Sequence, residues 1–282
     1  MGAWPGHVSA YPWGVRVRLA PGVEPQRAIS LVAELAGGTA AALGVHAENP
    51  VDKRNDYIRW ATNTEAQLAS VLHRDDARAF FAGPRYRDIA SSAPGEHLST
   101  MIYAEIEANR RDLEDATGYL RGELARAERA TGLPIVVDSN VLLQGQPIQD
   151  VKWVELLKTE VRLMIPLRVI EEIDAKKYSG SDRLRKRART VLPWVNRLLP
   201  DGDMGPVQLA PDATIEVVRA DRPRYRPDDA DEEILDVCQN VARFAGRGKL
   251  MTADTGMRVR ALMEGLDVFF WTPKEPDESN SA

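Results

Sequence analysis

Apolar positions follow two regimes along the chain. Up to about residue 130 they recur at three- and four-residue steps, the period of a helix face packed on a core. From Pro25, which suits a first helical position, Ile29, Val32 and Leu35 share a face until Gly37-Gly38 weakens the pattern. Tyr57, Trp60, Thr64, Leu68, Val71 and Leu72 predict a second helix over about 53 to 72. Phe80, Phe81 and Tyr86 stand in a stretch punctuated by Gly and Pro, which predicts a connection. The longest pattern runs from about 95 to 129, with Leu98, Ile102, Ile106, Leu113, Leu120, Leu124 and Ala127 on one side. Charges fill the other side, with Arg110 and Glu114, and Arg111 and Asp115, four residues apart. At 1.5 Å per residue such a helix reaches about 50 Å. It is either broken near Gly118 or Gly122, or it serves as a strut or as the arm of a homodimer. Before Pro25 the signal is thin: residues 1 to 14 are turn-rich, and Val15-Arg16-Val17-Arg18-Leu19 alternates as a half-buried strand does.

Thr131-Gly132-Leu133-Pro134 stops the long helix and changes the regime. Ile135-Val136-Val137 is an apolar, β-branched run too short for a globular helix and reads as a buried strand. Further strands are predicted at Val161–Ile165, Thr214–Val218, Lys249–Thr252 and Val268–Trp271. Between them lie helices at about 150 to 159, Pro166 to Lys176, Ser181 to Leu199, Asp229 to Phe244 and Met257 to Glu264. Strands separated by helices pair in parallel and carry helices on both faces. The expected organisation is therefore a mainly α-helical domain over 1–131, an α/β domain over 133–273, and a polar tail over 274–282 that is expected to be disordered.

Composition narrows the partners. The 282 residues carry a formal net charge of −5, so any nucleic-acid contact has to be local. The single cysteine, Cys238, excludes an internal disulfide framework and falls in a helical apolar series with Ile234, Val241 and Ala245, as a core residue does. All four His precede residue 100, which rules out a His-rich zinc site in the second half. Neither a leader-like N-terminus nor a run of about 20 apolar residues occurs, so a cytoplasmic protein without a membrane part is expected.

Asp138 directly follows the first buried strand, and Ser139 and Asn140 come next. In open parallel sheets ligands bind just beyond the carboxyl ends of strands, although an Asp in that position is as often a turn former or helix N-cap. Three further acids fall at comparable stations: Glu172 in the helix after the second strand, Asp231 at a helix start, and Asp254 after another strand. Parallel strands bring such stations to one edge. Two carboxylates roughly 5 Å apart repel by about 3 kcal/mol at an effective dielectric near 20, so four of them need a cation, or they protonate or spread. Oxygen-only ligands select a hard divalent ion, Mg²⁺ or Mn²⁺. Phosphodiester hydrolysis uses such a site, because the ion lowers the pKa of a water and neutralises charge on the phosphate.

Val137-Asp138-Ser139-Asn140-Val141, Ile165-Pro166-Leu167-Arg168-Val169-Ile170-Glu171-Glu172-Ile173-Asp174, Asp231-Glu232-Glu233-Ile234-Leu235 and Thr252-Ala253-Asp254-Thr255-Gly256-Met257-Arg258 together resemble the successive motifs of PIN domain nucleases, over about 133 to 273. The resemblance implies a three-layer α/β/α domain with a central parallel sheet, dependence on Mg²⁺ or Mn²⁺, and endonucleolytic cleavage of single-stranded RNA. It assigns catalysis and metal binding to Asp138, Glu172, Asp231 and Asp254, with Asn140 and Thr252 as polar supports. Glu172 is preferred to Glu171 because Glu172-Ile173-Asp174 matches the family's acidic step. The chain departs from the family at Ala253, where a polar residue is common, and at Gly256, where a larger one is. Its third station is crowded by Asp228, Asp229, Asp231, Glu232 and Glu233.

A basic run follows the Glu172 helix: Lys176, Lys177, Arg183, Arg185, Lys186, Arg187 and Arg189 against Asp174 and Asp182. It is either a solvated helix face or a set of phosphate contacts beside the acids, and contacts to RNA are the favoured expectation. Arg222, Arg224, Tyr225 and Arg226 form a second candidate for strand binding. Two other functions stand beside the ribonuclease: a catalytically weak PIN scaffold that binds RNA or a protein, and a toxin-type ribonuclease held by an antitoxin.

Overall fold

The computed structural model describes residues 15–43, 49–92, 96–144, 146–179, 181–198, 206–218 and 229–272. The opening stretch 1–14, the basic stretch from Arg222 to Arg226 and the tail 274–282 lie outside the described residues. Described residues up to Arg126 form one compact unit and those from Ala127 form another.

The first unit is helical: α1 (Pro25–Leu43), α2 (Pro50–Leu68), α3 (Arg74–Ala79), α4 (Pro84–Ser91) and α5 (Glu96–Arg129), whose last residues belong to the second unit. α1 runs through Gly37-Gly38 to Leu43. The expected connection around Phe80 to Tyr86 is instead two short helices. His73 caps α3 by accepting from Asp75 N–H at 3.4 Å, and Pro84 opens α4. Val15–Leu19 makes no sheet. Val15, Val17 and Leu19 are buried and only Leu19 bridges, to Leu72. The polar member Arg18 is buried as well, because Asp76 receives its Nε at 3.0 Å and its Nη2 at 2.9 Å, and His73 Nδ1 stands 2.9 Å from Nη2. A nitrogen that accepts from both Arg18 and Asp75 leaves the His73 proton on Nε2.

α5 is unbroken at Gly118 and Gly122. It buries the expected Leu98, Ile102, Ile106, Leu113 and Leu120, and also Glu105, Asn109 and Asp112. Burial pushes the Glu105 carboxyl above its ordinary range, against the pull of Arg85 3.4 Å away.

The second unit builds β1 (Leu133–Val137), α6 (Ser139–Leu143), a 3₁₀ turn (Ile148–Asp150), α7 (Trp153–Leu157), β2 (Val161–Pro166), α8 (Leu167–Lys176), α9 (Asp182–Leu198), β3 (Val207–Ala210), β4 (Ala213–Val218), α10 (Ala230–Ala245), β5 (Lys249–Thr252), α11 (Thr255–Met263) and β6 (Asp267–Phe270). The strands form one sheet in the order β3-β4-β2-β1-β5-β6, the centre of a three-layer α/β/α domain. All neighbours pair in parallel except β3 with β4. β3 was not expected: four residues of mixed burial carry too little pattern, and the antiparallel pair forms through a tight turn at 211–212. The helix expected over 150 to 159 is shorter, and Lys158 ends α7 in the left-handed region at φ 60°.

β1 sits near the middle because its residues 134 to 137 are apolar on both faces and wholly buried, as a strand covered on each side has to be. Its entry needs Gly132, at φ +82°, where a Cβ would stand 2.9 Å from the Val161 carbonyl carbon. Cys238 is buried in the core, and burial pushes its thiol up to about 12. One core feature is ionic: Arg162 on β2 meets Glu216 on β4 at 2.6 Å, with side chains 7% and 1% exposed.

Candidate active site

The topology delivers the four acids to the carboxyl ends of neighbouring strands. Asp138 follows β1, Asp254 follows β5, Glu172 is on the helix after β2, and Asp231 opens α10, the next described element after β4. Each charge is felt by others: those of Asp138 and Asp231 reach Glu172, and those of Asp138 and Asp254 reach Asp231.

Asp138 occupies the N-cap position of α6, and its carbonyl accepts from Val141 N–H at 3.1 Å. The residue is 3% exposed and its carboxylate turns to Thr252, whose hydroxyl donates to Oδ2 at 2.8 Å, while Asn140 Nδ2 approaches the same oxygen at 3.4 Å. Burial lifts its pKa above the usual carboxylate range. Thr252, the nearby N–H groups of Asn140 and Ser139, and the Lys176 charge pull it back. Thr252 is itself fully buried and its Oγ1 also accepts from Asp254 N–H at 2.9 Å, so one hydroxyl ties the ends of β1 and β5 together.

Glu172 is also raised, first by burial and then by Asp138 and Asp231, against a hydrogen bond from Ser139 and the charge of Lys176. Its neighbour Glu171 lies 3.8 Å from Arg168. Asp254 accepts from Met257 N–H through Oδ1 at 2.9 Å, capping α11. A Cβ at Gly256 would stand 3.1 Å from that same oxygen, which explains the missing side chain there.

The crowded third station separates by partner. Asp229 accepts Asp231 N–H at 3.0 Å as the cap of α10 and takes Arg260 Nη1 at 2.6 Å, and this ion pair holds its carboxyl below the ordinary value. Glu233 is buried beside Arg168 at 4.0 Å. Asp231 stays half-buried, 3.6 Å from Arg260, and its pKa is raised by burial and by Asp229. Asp228 lies outside the described residues.

The basic run divides. Lys176, one helical turn after Glu172, donates to Ser139 Oγ at 3.3 Å and so stands at the acids themselves. Lys177 pairs with Asp174 at 2.7 Å, Arg185 pairs with Asp182, and Arg187 donates to the Leu142 carbonyl at 3.3 Å. Arg183, Lys186 and Arg189 on α9 are exposed. Sequence reasoning missed Ser139 and Arg260 as members of the site. The four-residue step from Glu172 to Lys176 was the readable signal for Lys176, whereas Arg260 lies six residues beyond Asp254 and carries none.

The donors facing this edge are carboxylate and hydroxyl oxygens, the chemistry of a hard divalent cation, and Asp138 is a buried acid whose charge Thr252 only partly compensates. They fit Mg²⁺ or Mn²⁺ in kind. In spacing the side chains stand apart: among the described residues no three His, Cys, Asp or Glu side chains are gathered closely enough to hold a metal ion. Among the described helices, none is long and apolar enough to cross a membrane.

No curated protein matches the chain significantly. A family model described as PIN domain matches residues 135–270, the span that runs from within β1 to the end of β6 and carries all four acids.

Proposed function

We propose that the second unit is a Mg²⁺- or Mn²⁺-dependent endoribonuclease that hydrolyses phosphodiester bonds of single-stranded RNA in the cytoplasm. PIN domains are generally nucleases and usually use divalent metals. The observation that carries the reading for this chain is the delivery of Asp138, Glu172, Asp231 and Asp254 from four separate segments to one sheet edge, with Asp138 buried there as an acid. These four would hold the ion, which supplies an activated water and charge neutralisation at the phosphate.

The chain's own groups do the rest. Thr252 and Asn140 fix the orientation of the Asp138 carboxylate. Arg260 holds Asp229 to the cap, leaving Asp231 to face the other acids. Lys176 sets a positive charge between Ser139 and Glu172, where it meets a phosphate oxygen of the strand. The exposed Arg183, Lys186 and Arg189 supply further phosphate contacts, which the chain's net charge of −5 does not.

The test is cleavage of a labelled single-stranded RNA in Mn²⁺ or Mg²⁺ against EDTA. Asp138→Asn abolishes cleavage on this reading, and full activity in that variant overturns it. The spread carboxylates favour one other reading, a PIN scaffold that binds RNA without turnover. Binding that survives EDTA, with no cleavage in either metal, would establish that alternative.

A further inference from the structure

The acid edge already holds a cation at each end. At one end Lys176 donates to Ser139 Oγ at 3.3 Å, and its charge reaches Asp138 and Glu172. At the other, Arg260 on α11 reaches across to the first turn of α10, where its Nη1 stands 2.6 Å from Asp229 Oδ2 and 3.6 Å from Asp231 Oδ2. The charges of Asp229, Asp231 and Asp254 all favour its protonated form. A guanidinium stays charged throughout the pH range of a folded protein, so this cation is permanent.

Its position bears on how many divalent ions the acids can take. Where two such ions serve one phosphodiester they stand about 3.5–4 Å apart, so both draw carboxylate oxygens from the same edge. The oxygens available for a second ion are few. Asp254 Oδ1 is taken by Met257 N–H, Asp229 Oδ1 by Asp231 N–H, and Asp229 Oδ2 by Arg260. A second ion shared with Asp231 would need the Asp229 oxygen that Arg260 holds. Mg²⁺ approaches an oxygen to about 2.0–2.1 Å, closer than the guanidinium nitrogen stands, so ion and guanidinium on one carboxylate oxygen would nearly touch and repel. Arg260 and Asp229 are 51% and 47% exposed, and an ion pair of that kind contributes little to folding. Its effect falls on the oxygens it occupies.

We propose that Arg260 takes the place of a second metal ion, so that the acid edge holds a single divalent ion. The proposal rests on the metal-dependent reading above and adds the number of ions to it. Arg260 acts as a positioning residue, through Asp229. At 3.6 Å it is beyond hydrogen-bond length from Asp231 Oδ2, so Asp231 keeps its capacity for the one ion that it shares with Asp138, Glu172 and Asp254.

The test counts ions bound to the full chain by titrating Mn²⁺ and reading free and bound Mn²⁺ by EPR. Wild-type protein is expected to bind one Mn²⁺. Arg260→Met keeps a stem of similar length without the charge and should admit a second, whose closeness to the first broadens the bound signal by spin coupling. Adding Asp229→Asn removes the charge that Arg260 left behind and should return the count to one. Melting curves in EDTA check that each variant is folded, as expected for changes at half-exposed positions. Two ions on the wild type, one on Arg260→Met, or a second ion that survives Asp229→Asn overturns the proposal and leaves the metal reading standing. No bound ion in any of these proteins overturns the metal reading and the role of Arg260 together.

Discussion

Thr252→Val tests the geometry of the acid site with the least change of shape. The hydroxyl it removes is fully buried and used twice, as donor to Asp138 at 2.8 Å and as acceptor from Asp254 N–H at 2.9 Å. Valine fills the same space with neither capacity. A hydrogen bond to a charged group contributes about 1.5–3 kcal/mol, and an unpaired N–H adds roughly 1, for a loss of about 3 kcal/mol near neutral pH. In a unit of about 150 residues each kcal/mol moves the melting temperature by about 2–4 °C, so a drop on the order of 10 °C is expected. The deficit shrinks as pH falls, because losing this donor raises the Asp138 pKa further and protonation removes the charge that the hydroxyl served. Melts in EDTA at two pH values read the stability term. The Mn²⁺ concentration needed to raise the melting temperature reads the site, and displacement of a supporting group of this kind costs about 10–100-fold in metal affinity. Thr252→Ser keeps the hydroxyl and should recover most of both. A Thr252→Val protein that melts with the wild type, or a Ser variant as damaged as Val, refutes the assignment of this hydroxyl.

Three other outcomes follow from the same structure. Glu216→Gln leaves the Arg162 guanidinium, 7% exposed, without its counter-charge and should cost about 3–5 kcal/mol; the pair Arg162→Met with Glu216→Leu should recover most of it, and additive losses in the double-mutant cycle would show that the ions are not coupled. Glu105 has a folded pKa above its unfolded one, so its contribution is full below the unfolded pKa of about 4 and is lost as pH rises through the raised value. Glu105→Gln should therefore raise the melting temperature at pH 7.5 and leave it little changed near pH 4, and destabilisation at pH 7.5 would show Arg85 to outweigh burial. Neutralising Arg183, Lys186 and Arg189 should lower the slope of log binding constant against log salt by about 2–3, whereas an unchanged slope would return them to a solvated helix face.

What the chain disclosed in advance depended on how many residues carried each signal. The strand before Asp138, the alternation of strands and helices, and the helix over α5 rest on long periodic runs and reappear in the structure within a few residues. β3 carries four residues and no alternation, and α3 and α4 are too short for a period to develop. Arg18, Glu105 and Asp112 were hidden for another reason. A charged residue reads as exposed unless its partner is known, and Asp76 and Arg85 lie far from Arg18 and Glu105 in sequence.

The same asymmetry runs through the candidate site. Acids at strand ends are visible because topology alone brings them together, but the cations that set their charges are not. Third-station acids that look interchangeable as letters differ once α11 is folded: Arg260 and the first turn of α10 occupy both oxygens of Asp229, so it has little left to offer a ligand. Asp231, two residues on, keeps a pKa raised first by burial and then by the acids around it. Glu172 and Lys176 make the converse pair, one helical turn apart on α8 and both linked to Ser139. The positive charge of Lys176, which the sequence placed among phosphate contacts beside the acids, therefore belongs to the acid edge itself. There it lowers the cost of keeping Asp138 and Glu172 ionised together, and that cost is the one any function of these four acids has to meet.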